Sequence, residues 1–150
     1  MTRGRWLSVA GIAAALVGGA WLVDALVVSD EERLEGLVAA VAGPVTAPRI
    51  ASARERWIDL ERQPFEVSAL GRVALYRAGD DDALDERASE AARSLTGSHL
   101  RTITSGIAID GDRAVVSMRV LDDRRGMGRL EWTLERHGDD WLLARLRVLR

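Results

Sequence analysis

Few side chains in this sequence have the type and surroundings that acid–base chemistry needs. Asp59 lies between the apolar Ile58 and Leu60, Tyr76 is the only tyrosine, and His99 opens a predicted strand. A carboxylate in an apolar pocket can act as a general base, and a tyrosine hydroxyl can donate to a developing oxyanion. Asp59 and Tyr76 would fill these two roles if the fold brought them together. No motif spacing links the three candidates, and ordinary surface and strand positions explain them more simply.

Metal and cofactor chemistry has no support in the spacing of the sequence. Cysteine is absent, which excludes disulfides, thiolate nucleophiles and cysteine-ligated zinc. His99 and His137 stand on separate elements without a carboxylate at helical spacing, so no zinc site is predicted. The acidic run at residues 80–82 lacks the interleaved oxygen ligands of a calcium loop and suits the first turn of a helix. Since phosphate loops and nucleophile elbows are also missing, we expect no metal and no cofactor.

The charge balance argues against nucleic acid as a partner. The 150 residues carry a net charge of −2, and 19 of the 21 arginines lie beyond residue 28 together with 22 of the 23 acidic residues. A nucleic-acid binder needs a basic surplus for phosphate contacts. Arginines between residues 49 and 62 suggest a phosphate site, but acidic residues are interleaved with them, so a self-paired, solvated face is the preferred interpretation.

The first 28 residues predict a single membrane-spanning helix. Residues 6–23 are uncharged, the apolar stretch reaches residue 28 if Asp24 is included, and Arg3 and Arg5 precede it. That length matches a bilayer core of about 30 Å. The arginines favour an N-terminus inside and a C-terminal domain outside the cytoplasm, as in a single-pass protein of a bacterial inner membrane. The alternative is a secretory signal cleaved near residues 23–25, which would release a secreted domain.

Small residues recur every four positions in this segment, at Gly11, Ala15 and Gly19. Such a stripe lets two membrane helices approach closely, although a segment rich in Ala and Gly also produces it by chance. The predicted partners are therefore the membrane, through residues 6–28, and a homodimer or a larger membrane complex.

Residues 29–150 predict one α+β domain. A capping box from Ser29 to Glu32 starts a helix over residues 30–42, and a second helix follows the acidic run to Thr96. Residues 44–62 predict a short helix that passes into extended chain. A short hairpin turns at Leu70-Gly71.

From His99 onward the apolar residues alternate with period two, which predicts four antiparallel strands in a meander. Gly106 is the expected bulge of the first strand. The last strand is expected to bury four alternating residues: Leu142, Ala144, Leu146 and Val148. The predicted fold class is therefore an N-terminal transmembrane helix followed by helices packed on a bent antiparallel sheet.

A group of large side chains has the types that line apolar ligand pockets. These pocket candidates are Trp57, Phe65, Tyr76, Met118 and Trp132. At their helix and strand periods they are more typical of an ordinary core.

The order of these elements resembles the nuclear transport factor 2-like superfamily, also called the cystatin-like roll. The resemblance rests on the two capped helices, on Gly-Asp-Arg-Ala-Val-Val at residues 111–116 and on Gly-Asp-Asp-Trp-Leu-Leu at residues 138–143. It implies a cone-shaped roll with a pocket at its open end. Members of this superfamily include isomerases, dehydratases and non-catalytic binding or assembly modules, some of them membrane-anchored, so the fold does not decide the function.

Two functions fit the sequence. The preferred one is a membrane-anchored, extracytoplasmic binding or assembly module without catalytic activity, with residues 1–28 as the anchor and 29–150 as the domain. The alternative is a small exported enzyme of the isomerase or dehydratase type that acts on an apolar ligand inside the cone.

Overall fold

The computed structural model describes residues 29–149. The predicted membrane anchor at residues 6–28 lies outside this part of the chain. Ser29 and Glu32 form the predicted capping box: the N–H of Glu32 donates to Oγ of Ser29 at 3.2 Å, and the N–H of Ser29 donates to Oε2 of Glu32 at 2.9 Å. This exchange satisfies two N–H groups that the first helical turn leaves without partners.

Three helices are present in the described residues. Helix α1 spans Asp30–Val41, α2 spans Ala47–Trp57 and α3 spans Asp81–Leu95. Helix α2 begins with Pro48 in its first turn, where a proline costs no hydrogen bond. Helix α3 begins with Asp81 and Asp82, whose charges favour the positive end of the helix dipole. None of the described helices is long and apolar enough to cross a membrane.

Within residues 29–149, seven strands form one sheet. Strand β1 is Gly43–Pro44, β2 is Phe65–Ala69, β3 is Arg72–Tyr76, β4 is His99–Asp110, β5 is Arg113–Asp122, β6 is Gly126–His137 and β7 is Asp140–Leu149. Their order across the sheet is β1-β4-β5-β6-β7-β2-β3. The predicted meander from β4 to β7 is antiparallel throughout.

The sheet as a whole is mixed, and the expectation of a purely antiparallel sheet is wrong. Strand β2 pairs with β7 in parallel, with Val67 opposite Leu146. The 70 residues between the two strands contain β3, α3 and the first three strands of the meander, so the chain returns to β7 in the same direction as β2. A parallel pair needs such a long connection.

Two irregularities bend the sheet and change which residues face the core. One lies between Thr102 and Thr104 on β4, and Gly106, the predicted bulge, pairs regularly with Ser117. The other lies on β7, where Ala144 is the extra residue between Leu143 and Arg145, the partners of Leu134 and Thr133 on β6. An extra residue in a strand shifts the alternation of the residues beyond it.

The second irregularity corrects the prediction for β7. Trp141 and Leu143 belong to the buried core, and Leu146 packs against it from beyond the shift. Leu142 is buried but lies outside that cluster, and Val148 is exposed. On β5 the alternation holds as predicted, since Ala114, Val116, Met118 and Val120 are all buried.

The core lies between the sheet and side chains from the helices. Leu34 and Leu37 of α1, Trp57 of α2 and Leu84 of α3 pack in one cluster with the inward residues of the sheet. The helices therefore pack on the apolar face of the meander, as the sequence predicts.

Candidate functional site

Asp59 forms a turn just beyond α2. Its Oδ1 accepts the N–H of Glu61 at 3.1 Å, and its main-chain oxygen accepts the N–H groups of Arg62 at 3.2 Å and Gln63 at 2.9 Å. Its Oδ2 lies 3.9 Å from Nη1 of Arg62. The carboxylate of Asp59 therefore stabilises the local turn of the chain.

Tyr76 and His99 lie elsewhere in the fold. Tyr76 ends β3 opposite Phe65 and is half-buried against the core. The Glu90 carboxylate and, more weakly, Tyr76 raise the pKa of Arg87 on α3.

His99 is exposed at the start of β4, where its main-chain N–H donates to Oδ1 of Asp123 at 3.1 Å. Within residues 29–149, no hydrogen bond joins the side chains of Asp59, Tyr76 and His99.

The five pocket candidates lie in the core or against it. Trp57, Phe65 and Met118 are only 3%, 3% and 1% exposed. Tyr76 and Trp132 are partly buried and pack on the same cluster. Three of the side chains predicted to line an apolar pocket are therefore closed off from solvent and belong to the core cluster, and the other two pack against it.

Three buried polar atoms have no hydrogen-bond partner in the described part of the chain. They are Nε1 of Trp57, Nε1 of Trp132 and Oγ1 of Thr102. A buried donor or hydroxyl without a partner costs about 1–3 kcal/mol. The sequence singles out the two tryptophans but not Thr102, which alternates like its strand neighbours.

Two of the open depressions on the surface of residues 29–149 have linings that include none of Asp59, Tyr76 and His99. One has a volume of about 290 Å³ between α1 and α2, and its lining residues are Gly36, Ala40, Pro48, Arg49, Ser52, Ala53, Arg56 and Trp57. The other has a volume of about 300 Å³ at the turn end of β4–β7, and its lining residues are Asp110, Asp112, Arg113, Glu135, Arg136 and His137. Residues 29–149 contain no group of three or more side chains that could hold a metal ion.

Three of the four arginines between residues 49 and 62 donate to other groups of the domain. Arg54 pairs with Asp81 and, from Nε to Oδ1 at 2.8 Å, with Asp85, so it ties α2 to α3. Arg62 donates to Oδ2 of Asp140 at 2.9 Å. Arg49 donates to main-chain oxygens at the end of α1, including that of Ala42 at 2.5 Å. These partners support the interpretation of a self-paired surface over a phosphate site.

Asp122 holds the turn between β5 and β6 and shows the clearest shift among the acidic groups. It is buried, and the N–H of Arg124 donates to its Oδ1 at 2.9 Å. This backbone N–H, assisted by the Ser98 hydroxyl, lowers the pKa of Asp122. The turn then reaches the end of α3, because Arg124 donates to the main-chain oxygen of Thr96 at 3.3 Å and Arg125 donates to that of Ser94.

Comparisons with known proteins identify the fold. No protein-family model matches the sequence, and no curated protein matches it. A solved nuclear transport factor 2-like protein with a cystatin-like fold from Novosphingobium aromaticivorans is 20% identical, with a TM-score of 0.57 over 90% of this chain and 87% of that one. A protein of unknown function from Mycobacterium tuberculosis, Rv3472, is 18% identical, with a TM-score of 0.56 over 88% and 73%.

A putative ketosteroid isomerase from Shewanella frigidimarina is also similar, at 17% identity and a TM-score of 0.52 over 66% of this chain and 80% of that one. At these identities the likeness concerns the backbone and not the chemistry. Three helices on a bent mixed sheet, with these structural neighbours, give the chain the nuclear transport factor 2-like, cystatin-like fold.

Proposed function

We propose that this protein is a binding or assembly module without catalytic activity, anchored in a bacterial inner membrane by residues 6–28. Its folded domain is displayed outside the cytoplasm. The fold accommodates both isomerase-type enzymes and non-catalytic proteins, so the choice depends on the interior and on the surface of this particular chain.

The observation that carries the proposal is the filled interior of the roll. Trp57, Phe65 and Met118 pack together in the core, and Trp132 packs against them. An enzyme of this fold needs an enclosed site, because a water-excluded pocket strengthens the electrostatic contacts that catalysis uses. Here the carboxylate of Asp59 accepts a hydrogen bond from the N–H of Glu61 within its own turn.

The exposed surface also supports a binding or assembly role. Large apolar side chains are exposed on the β2–β3 hairpin, where Leu70 is 70%, Val73 65% and Leu75 46% exposed. Clustered exposed apolar residues are typical of protein contact sites.

Fractionation of the full-length protein in a Gram-negative bacterium tests the anchor. We expect the intact chain to stay in the membrane pellet after carbonate extraction, and protease added to spheroplasts to digest the domain. A shortened, soluble form would show that the segment is a cleaved signal and the domain is secreted. A membrane-bound but protected domain would contradict the proposed orientation.

Titration of the membrane-extracted protein with apolar steroids tests the absence of a pocket. We expect no saturable change in tryptophan fluorescence, since the interior is occupied. Saturable binding at one equivalent, weakened by Asp59→Ala or Tyr76→Phe, would favour the alternative of a small exported enzyme.

A further inference from the structure

Strand β3 is an edge of the sheet. It pairs with β2 on one side, and within residues 29–149 no strand pairs with its other side. A free edge presents unpaired N–H and C=O groups to other strands, and proteins ordinarily protect it with prolines, inward charges or bulges. β3 has the sequence Arg-Val-Ala-Leu-Tyr and pairs without a register shift. None of those protections is present at its centre.

The groups that β3 leaves free follow from the geometry of its hairpin. Leu70 and Gly71 form a two-residue loop with φ of 52° and 76°, as in a type I′ turn, which is closed by a hydrogen-bonded pair. That pair is Ala69 with Arg72. Because hydrogen-bonded and non-hydrogen-bonded pairs alternate, the main-chain groups of Val73 and Leu75 point away from β2.

The loop residue Leu70 carries a conformational cost. It is the one residue other than glycine with positive φ in the described chain, a region that disfavours leucine and favours Asn or Gly. Backbone strain of this kind is concentrated at functional sites. Leu70 is 70% exposed, so packing within the domain does not explain why a leucine stands at this strained position.

We propose that β3 pairs with β3 of a second copy of this chain, antiparallel and about a two-fold axis at Ala74. This register sets Val73 opposite Leu75 of the partner subunit, twice by symmetry, and each such pair forms main-chain hydrogen bonds in both directions. On the other face, Arg72 lies opposite Tyr76 of the partner subunit, a cation over an aromatic ring. The strand is self-complementary, because no like charges face each other.

Other registers are poorer. A shift of one residue along each strand centres the axis on Val73 or on Leu75, which shortens the overlap. The axis at Leu75 also sets Val73 against Arg77, and neither shifted register joins the two exposed apolar residues. At the opposite edge of the sheet, β1 pairs only with His99 and Leu100 of β4. The rest of β4 is irregular at Thr102/Thr104, and an irregular edge resists strand addition.

This inference deepens the proposed assembly role and rests on it, because a five-residue strand pair is small. Anchoring confines both copies to one membrane and raises their effective concentration. The partner that the proposal names is a second copy, and the surface that binds it is the β3 edge.

A single cysteine tests the register cleanly, since the natural chain has none. In a non-hydrogen-bonded antiparallel pair the Cα atoms lie about 4.5 Å apart, within the range for a disulfide. We expect Ala74→Cys in membranes to give mostly disulfide-linked dimers on mild oxidation. Val73→Cys sets the two sulfurs out of register and should give few, as should Ile109→Cys on the exposed part of β4. Equal yields from all three variants, or a dimer through Ile109→Cys alone, would overturn the proposal.

A charge exchange tests the same contact without a cysteine. Val73→Glu places a carboxylate against Leu75 of the partner subunit and should reduce energy transfer between differently labelled full-length copies in liposomes by about tenfold. Adding Leu75→Lys places Lys against Glu twice across the axis and beside Glu66 within the chain, so energy transfer should return. Loss without rescue, or no loss, would contradict this register.

The same membranes separate this inference from the proposed function. If cross-linking and energy transfer fail while carbonate extraction still leaves the chain in the pellet, the strand pairing is wrong and the anchored module stands. If the chain is extracted as a soluble form that still cross-links at Ala74→Cys, the anchor is wrong and the strand pairing stands.

Discussion

The guanidinium of Arg49 lies where a side chain on Gly43 would begin. A Cβ at Gly43 would be 2.5 Å from Nη1 of Arg49, and Gly43 has a φ of 112°. From this position Arg49 donates to the main-chain oxygen of Pro44 at 2.8 Å and to that of Ala40 at 3.2 Å. The last carbonyls of α1, which a helix leaves without partners, are capped by an arginine from α2.

The same arrangement of a glycine and an arginine recurs at the end of α3. Gly97 has a φ of 80°, and a Cβ there would lie 3.0 Å from Nη1 of Arg124. Arg124 donates to the main-chain oxygen of Thr96. A glycine in the left-handed region ends many helices, and here each such glycine also makes room for an arginine from another element.

We predict that Gly43→Ala lowers the free energy of unfolding by about 2 kcal/mol or more, because it adds backbone strain and displaces Arg49. Gly79→Ala is the matched control, since Gly79 also has positive φ, at 89°, but has no atom near its Cβ position. Urea unfolding of the full-length protein in detergent measures both. Equal losses would show that backbone strain alone matters and that the arginine contact contributes nothing.

The low pKa of Asp122 predicts a loss of stability in acid. A carboxyl group whose pKa is lower in the folded than in the unfolded state binds its proton less tightly when folded. Its contribution is complete above the unfolded pKa of about 3.9 and is lost as the pH falls through the folded pKa. The difference in unfolding free energy between the natural protein and Asp122→Asn should therefore shrink as the pH is lowered below about 4. A difference that is constant with pH would contradict this assignment, and exposed Glu55→Gln serves as the control.

We expect the link between α2 and α3 to depend on the shape of Arg54. Its side chain is 20% exposed and meets two carboxylates, on Asp81 and Asp85. Lysine cannot donate through a planar fork, so Arg54→Lys should lower the free energy of unfolding by about 1 kcal/mol, a figure reduced for the exposed carboxylates. Arg87→Lys, in a solvent-exposed pair with Glu90, should change it much less, because exposed ion pairs contribute little to stability. Equal effects would remove any special role for Arg54.

Substitution of Met118 tests how closely the core is packed. It is 1% exposed at the centre of β5, so Met118→Ala should cost about 2–5 kcal/mol in unfolding free energy. The exposed Met127→Ala should stay within about 0.5 kcal/mol. A loss below 1 kcal/mol at Met118 would indicate a loosely filled interior.

The helices could be predicted from the sequence because their signals are local. The exchange between Ser29 and Glu32 lies within one turn, and α3 begins at the acidic run that predicted it. The turn at Leu70-Gly71 was also visible, since a glycine between two short apolar runs is a local hairpin signal, although Leu70 itself is disfavoured at positive φ.

The sheet could be predicted only in part, because register and distant pairing are not local. Nothing in β2 or β7 specifies that Val67 lies beside Leu146. The extra residue at Ala144 moves the buried positions of β7 to Trp141 and Leu143, and no glycine marks it. The two arginine caps were missed for a related reason, since each arginine binds main-chain oxygens, which any helix end offers.

The most direct test of the filled interior is the binding of a benzene-sized apolar ligand to the natural protein and to Met118→Ala, measured by calorimetry on the full-length chain. A packed core leaves no room for such a ligand, whereas a cavity left by a deleted side chain and lined by apolar groups can take one up. We predict saturable binding of one equivalent to Met118→Ala and none to the natural protein. One equivalent bound by the natural protein would contradict the account and favour an enzyme with a ligand in the cone.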